Sequence, residues 1–283
     1  MAASEELKAL LSQIPDHAKN NTYVHFTPEQ ADQLHKLGPE LLKGGRDTVL
    51  ALIDLLVEPG KGDDTKPHYA LHILAVHASG IEDDKARAGI ALAMASQLGG
   101  DRPKAVQEYL IQELQVVGGK EAVETLGKLL LNPDLCDDAA RALAAIGGEA
   151  ASQQVLAALP KAKDRGRLSV LKKLAILREP RAADAFKSSL ADQDPDIRIA
   201  ATWGLARLAD PAVVAPLLKA VEGKHGWVRL NQVDACLAMA EALATAGKKA
   251  DAAKVYAHVQ RTCTDPSESH FRDAAAKGLA AAT

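Results

Sequence analysis

Apolar positions along the chain recur in a fixed order. The segments AARALAAIGGEAASQQVL, VLKKLAILREPRAADAFK and AATWGLARLADPAVVAPLL superpose without gaps. Leu143, Leu174 and Leu205 are equivalent, as are Ile146, Leu177 and Leu208, and then Val155, Phe186 and Leu217; the spacing is 31 residues both times. One unit upstream, Leu114 and Val117 fit at a spacing of 29. Downstream, HFRDAAAKGLAAA matches DIRIAATWGLARL and sets Arg272 on Arg198 and Leu279 on Leu205, while the segment around Leu243 fits after an insertion of several residues. Each unit holds two helical patterns: a long one that ends at Gly or a small loop, then a shorter one such as Ala182 to Leu190. Nothing alternates with period two over enough residues to make a strand. A lone helix pair cannot bury its apolar stripe, so the pairs must stack. The expected fold is all-α, a right-handed α-α superhelix of about six to seven helix pairs. Residues 1–60 are expected as an atypical N-terminal helical cap and 61–283 as a single continuous solenoid ending in a helix over 265–283.

Boundary residues sharpen the pattern. Asn132-Pro133, Asp194-Pro195, Asp210-Pro211 and Asp265-Pro266 each set a side-chain acceptor before a Pro, the arrangement of an N-cap and first helical position. Thr27-Pro28-Glu29-Gln30 reads as a capping box with Gln30 reaching back. The Gly-Gly pairs at 44–45, 99–100, 118–119 and 147–148 follow helical patterns and read as C-caps, where left-handed φ is tolerated.

The stretch Asp194-x-Asp196-Ile197-Arg198-x-x-Ala201, a Leu-rich helix end, an Asp-Pro turn and Val214-Ala215-Pro216-Leu217-Leu218 resembles a HEAT repeat. The short bacterial form named after phycobilisome-lyase HEAT-like repeats is the nearest in flavour, over about 101–221 and 265–283. The resemblance implies a HEAT-like α-solenoid in which an Asp and an Arg form a polar ladder between repeats. Asp196 and Arg198 match that pair, and Arg167 and Arg272 occupy the Arg column. It also implies that the second helix of each pair lines the concave side.

Composition removes some functions. Apolar residues are 47% of the chain and aromatics 3%, so the core is built from Ala, Leu, Val and Ile. The formal net charge of -3 disfavours nucleic acid as a partner. Cys136, Cys236 and Cys263 are far apart, odd in number and without a CxxC pair, and read as small buried hydrophobes. No apolar stretch has the length of a membrane span, and MAASEELKALLSQ lacks the features of a signal peptide, so the expected location is cytoplasmic unless a leader has been removed.

Candidate chemistry is thin. His68 and His72, four apart, have the spacing of a metal half-site, with Asp63 and Asp64 upstream in an expected loop. There is no His-Glu-x-x-His and no His-Glu dipeptide, so no metal is expected and His72 is expected on the surface. The chain has no Gly-x-Ser-x-Gly, no Walker loop and no Gly-x-Gly-x-x-Gly, so no catalytic residue and no cofactor are expected. Two positions before the aligned Leu stand His72, Gln112, Arg141, Lys172 and Trp203, breaking the apolar pattern at the same place in successive units. Trp203 with Arg207 one turn on has the composition of a binding hot spot. Residues 161–181 hold eight Lys or Arg against Asp164 and Glu179. The expected function is a non-catalytic scaffold binding a protein, with an acidic surface, through His72, Gln112, Arg141, Lys172, Trp203 and Arg207. The alternative is an enzyme using the groove, like the bilin lyases or DNA glycosylases built on such repeats.

Overall fold

A computed structural model describes residues 4–16, 27–222 and 226–282. Residues 17–26 of the expected N-terminal cap lie outside the described residues. Among the described residues there are sixteen α-helices and no strand. They form two compact units, 1–154 and 155–283.

In the first unit the helices are α1 (Glu5–Ser12), α2 (Pro28–Lys43), α3 (Gly45–Asp54), α4 (Thr65–Gly80), α5 (Asp84–Ala95), α6 (Lys104–Val117), α7 (Val123–Leu129) and α8 (Cys136–Ile146). α9 (Gly148–Ala158) carries the boundary. The even-numbered helices form one layer, α2 on α4, α4 on α6 and α6 on α8, and the shorter helices pack behind them, α3 on α5, α5 on α6 and α7 on α8. The second unit holds α10 (Asp164–Ile176), α11 (Ala183–Ser189), α12 (Pro195–Leu208), α13 (Val214–Val221), α14 (Gly226–Thr245), α15 (Lys249–Thr262) and α16 (Ser269–Ala282). α10, α12 and α14 stack in order, α11 covers α12, and α14, α15 and α16 close the end.

The apolar columns become the core. Leu74, Leu114, Leu143, Leu174 and Leu205 are fully buried, as are Val155, Phe186 and Leu217. Ile146, Leu177 and Leu208 share the same half-buried position. The capping box forms as expected: Gln30 N–H donates to Thr27 Oγ1 at 3.3 Å and Thr27 N–H to Gln30 Oε1 at 2.9 Å. Asp194 caps α12, accepting from Asp196 N–H.

Several boundaries differ from the reading of the sequence. Asp210 and Asp265 cap 3-10 turns that lead into α13 and α16, and Glu179 caps a third before α11. A side chain at the cap and a Pro behind it fix only one turn, and the tight turn lets the chain reverse between stacked helices. Asn132 caps a turn as well, and α8 starts four residues later at Cys136. Gly147 takes the left-handed φ of 68° expected of a C-cap, and its equivalents 31 and 62 residues on are Arg178 at 51° and Ala209 at 48°. Gly118 is extended instead, at φ -66°. Its neighbour Gly119 leaves room for Arg87, whose guanidinium would lie 2.8 Å from an added Cβ. No insertion precedes Leu243: the 31-residue register runs on through Arg229, Cys236 and Met239, and the extra residues lengthen α14 to 20. Gln232 donating to Thr202 Oγ1 at 3.0 Å locks α14 to α12 in that register.

Candidate functional site: an exposed ridge and a histidine-lined cleft

In each unit the even-numbered helices present two exposed positions per helix, four residues apart and therefore on one face of that helix. In the first unit they are His72 and Val76 on α4, Gln112 and Val116 on α6, and Arg141 and Ala145 on α8. In the second they are Lys172 and Ile176 on α10, Trp203 and Arg207 on α12, and Asp234 and Ala238 on α14. All are exposed except Trp203 and Arg207, which are half-buried. Val76, Val116 and Ile176 are large apolar side chains left about 40% exposed (41%, 40% and 40%) at the same register position.

Trp203 and Arg207 are held rather than free. The Arg207 guanidinium stacks 4.9 Å from the Trp203 ring centroid, a cation–π contact. Its Nε donates to the carbonyl of Ala175 at 2.8 Å, capping the C-terminal end of α10. Ile176 stands at that same end, its carbonyl 3.4 Å from Arg207 Nη2, and Lys172 lies one turn earlier on α10. Arg141 is ion-paired within its own helix to Asp137 and Asp138 and adds little net charge. The basic segment stays at the surface through Lys161, Lys163, Arg165, Lys172 and Arg178, whereas Arg167 and Arg181 pair with Asp192 and Glu179.

Beside His72, α2, α4 and α6 enclose a cleft of two compartments that share Tyr69 and His72. One, of about 430 Å³, is polar, lined by Asp64, His68, Tyr109 and Glu113; the other, of about 280 Å³, is apolar, lined by Leu34, Ile73 and Val76 with His35 and His77. Asp64 directly precedes α4, so Asp64 meets His68 one turn on: His68 Nδ1–H donates to the Asp64 carbonyl at 2.9 Å. Asp64 Oδ2 accepts Val57 N–H at 2.9 Å. The Tyr109 hydroxyl donates to the His68 carbonyl, and its ring meets the His68 ring edge-on at 4.3 Å. Both Glu113 oxygens lie 3.1 Å from His72 Nδ1. Glu113 is 4% exposed, so its charge is taken out of water and depends on that partner. The hydrogen bond that His72 donates to Glu113 raises the His72 pKa above its ordinary value, against the opposing effect of burial. Burial pushes the Tyr109 phenol up as well, so it stays protonated. Among the described residues no group of three or more His, Cys, Asp or Glu is placed to hold a metal ion.

The Arg column ties successive units. Arg167 pairs with Asp192 Oδ2 at 2.6 Å, and Arg198 donates to the Asp192 carbonyl at 2.7 Å. Arg229 grips Glu268 with two donors and the carbonyls of Val221 and Thr262 with the others. A family model described as HEAT repeats matches residues 155–238, which is α10 to the middle of α14 with the end of α9.

Residues 155–238 match HEAT repeats.

In these HEAT repeats the acid of the ladder is Asp192, not Asp196 as the resemblance implied: Asp196 is exposed in the first turn of α12, its N–H is taken by the Asp194 cap, and its carboxylate reaches no Arg among the described residues. Arg229 extends the Arg column, and its spacing of 31 from Arg198 is the signal that could have found it. No curated protein matches the chain. Among solved structures, an engineered protein is 15% identical, covering 97% of this chain and 78% of its own, with a TM-score of 0.41. The complex of CpcE and CpcF of phycocyanin lyase from Nostoc sp. PCC7120 is 17% identical over 95% of this chain and 100% of its own, with a TM-score of 0.38. A designed armadillo repeat protein in complex with the peptide (KR)4 is 20% identical over 98% and 100%, with a TM-score of 0.29.

Of the six residues expected from the sequence, His72, Gln112 and Arg141 in the first unit and Lys172 and Trp203 in the second stand two places before the aligned Leu of their helices, and Arg207 stands one turn after Trp203. Sequence reasoning missed Val76, Val116 and Ile176, whose signal was an apolar residue two places after the aligned Leu. It also missed the cleft, because Tyr109 and Glu113 lie 41 residues from their partners His68 and His72. Cys236 and Cys263 are buried, and burial pushes both thiols up, Cys236 to about 12, which favours the protonated form. No described helix is long and apolar enough to cross a membrane.

Proposed function

We propose that the protein is a non-catalytic scaffold that binds a protein partner through the ridge of its even-numbered helices, the concave face expected of a HEAT solenoid. The observation that carries this reading is the patch of Trp203, Arg207, Ile176 and Lys172. Its Trp is stacked on an Arg that is itself anchored on the end of α10, so little side-chain entropy remains to be lost on binding. An ordered aromatic beside Arg and an exposed aliphatic is the composition of an interface hot spot. The exposed Lys161, Lys163, Arg165 and Arg178 around it favour an acidic partner surface, acting mainly on association rate.

The test is comparative affinity capture from the source organism's lysate with mass spectrometry. Wild type and the outer-helix control Lys219→Glu are expected to retain the same protein, and Trp203→Ala, at unchanged helical content, to lose it. If Trp203→Ala and Lys172→Glu retain it while Lys219→Glu does not, the binding face is the other layer.

A further inference from the structure

We propose that the cleft between α2, α4 and α6 binds an organic cation with an apolar tail, an alkylammonium or alkylguanidinium group. The charge preference follows from the lining. The polar compartment carries two carboxylates, Asp64 and Glu113, and among the described residues no Lys or Arg lines either compartment. Glu113 has His72 Nδ1 against both oxygens and Tyr109 as a further side-chain partner, and a carboxylate has about four acceptor sites. Asp64 likewise has capacity beyond Val57 N–H. The tyrosines add to the same preference, because an aromatic face attracts a cation that is leaving water. A metal ion is the poorer occupant, since no set of three ligands converges there among the described residues.

The apolar tail follows from the second compartment. It opens off the first at Tyr69 and His72 and is walled by Leu34, Ile73 and Val76. Its 280 Å³ is room for a short alkyl chain, and the stem of a lysine or arginine side chain would cover the same surface. His72 sits at the junction with its side chain 54% exposed, so it can turn aside and yield Glu113 to an incoming cation at little packing cost. The site is separate from the Trp203 patch, and a small-molecule probe reports on it whether or not the ridge binds protein.

The experiment is calorimetric titration of the full chain with n-hexylammonium chloride at pH 8.5, where competition from charged His72 for Glu113 is reduced. Hexanoate and 1-hexanol serve as controls, and a blocked Leu-Arg-Leu peptide as a second arm. Hexylammonium or the peptide is expected to bind, and hexanoate is not. Binding by the peptide alone would identify a partner's side chain as the source of the cation, and binding by both would show that the free amine suffices. Shortening the chain from hexyl to propyl is expected to weaken binding by up to about fourfold per methylene. Glu113→Gln, which keeps the shape and an acceptor for His72, is expected to weaken it at least tenfold. Asp64→Asn, which retains the acceptor for Val57, gives a second reading if Glu113→Gln fails to fold. The proposal is overturned if neither cation binds, if hexanoate or hexanol binds as tightly as hexylammonium, or if both carboxylate variants bind it unchanged.

Discussion

Glu268→Ala should be among the most damaging single changes in the second unit. Glu268 is buried against Arg229, which is itself 7% exposed and has no route back to water. The guanidinium also holds the Val221 carbonyl at 2.9 Å, the Thr262 carbonyl at 3.0 Å and Cys263 Sγ at 3.7 Å, joining α13, α15 and the turn before α16. Removing the carboxylate leaves a buried cation uncompensated, which costs about 3–5 kcal/mol. Removing both charges, as Arg229→Met with Glu268→Leu, strands the two carbonyls at about 1 kcal/mol each but leaves no unpaired charge. The double variant should therefore be less damaging than the single one by about 2 kcal/mol, and Arg229→Met alone completes the double-mutant cycle that gives the coupling. Urea unfolding followed by helical circular dichroism gives the magnitudes, and hydrogen exchange of α14–α16 localises the loss. The pair raises Arg229 and holds Glu268 below its usual 4.5. A carboxylate with a lowered folded pKa stabilises above its unfolded value, and that contribution is lost as pH falls through the folded one. The gap between wild type and Glu268→Ala should accordingly be full at pH 6–8 and shrink below about pH 4. A loss under about 1 kcal/mol for Glu268→Ala, or a double variant as damaged as the single, would refute the reasoning.

Three further outcomes follow from single contacts. His72 has a raised folded pKa, so its pair with Glu113 stabilises fully below the unfolded value of about 6.5 and is lost as pH rises through the folded one; His72→Gln should lower the melting temperature at pH 6 and do little at pH 9, by less than about 1 kcal/mol for so exposed a pair. Ala209→Gly should stabilise by about 0.5–1 kcal/mol in thermal unfolding, because Ala209 caps α12 at a left-handed φ of 48°, which suits Gly and strains Ala. Gly204→Ala should destabilise by about 1–3 kcal/mol despite the better helix propensity, because its Cβ would meet the fully buried Phe186 ring at 2.5 Å; a stabilised variant would show that α11 and α12 can move apart.

The repeat was legible because burial imposes a period. Leu143, Leu174 and Leu205 must face the core, and only one phase of each helix allows it. That phase also set the exposed positions, so His72, Gln112, Arg141 and Lys172 were readable as surface. Pairing between helices was not legible. Glu113 looks like an ordinary helical acid until α6 packs on α4 and brings it to His72. Arg141 looked like available charge because Asp137 and Asp138, one turn back, were not weighed against it. Ala209 and Arg178 carry no local signal of a left-handed cap. Only their alignment with Gly147 reveals it, the helix end being imposed there by the stack and not by the residue. Trp203 was expected as a binding residue beside Arg207, and the anchor that orders this pair, the Ala175 carbonyl, lies 32 residues from Arg207.

The central claim is tested most directly by the affinity of the captured partner for Trp203→Ala, measured at low and at high salt against wild type and Lys219→Glu. The expected result is a loss of about 2 kcal/mol or more, roughly thirtyfold, at both salt concentrations for Trp203→Ala, with Lys172→Glu weakened chiefly at low salt and Lys219→Glu unchanged. Wild-type affinity in Trp203→Ala and Lys172→Glu, with loss in Lys219→Glu, would contradict it.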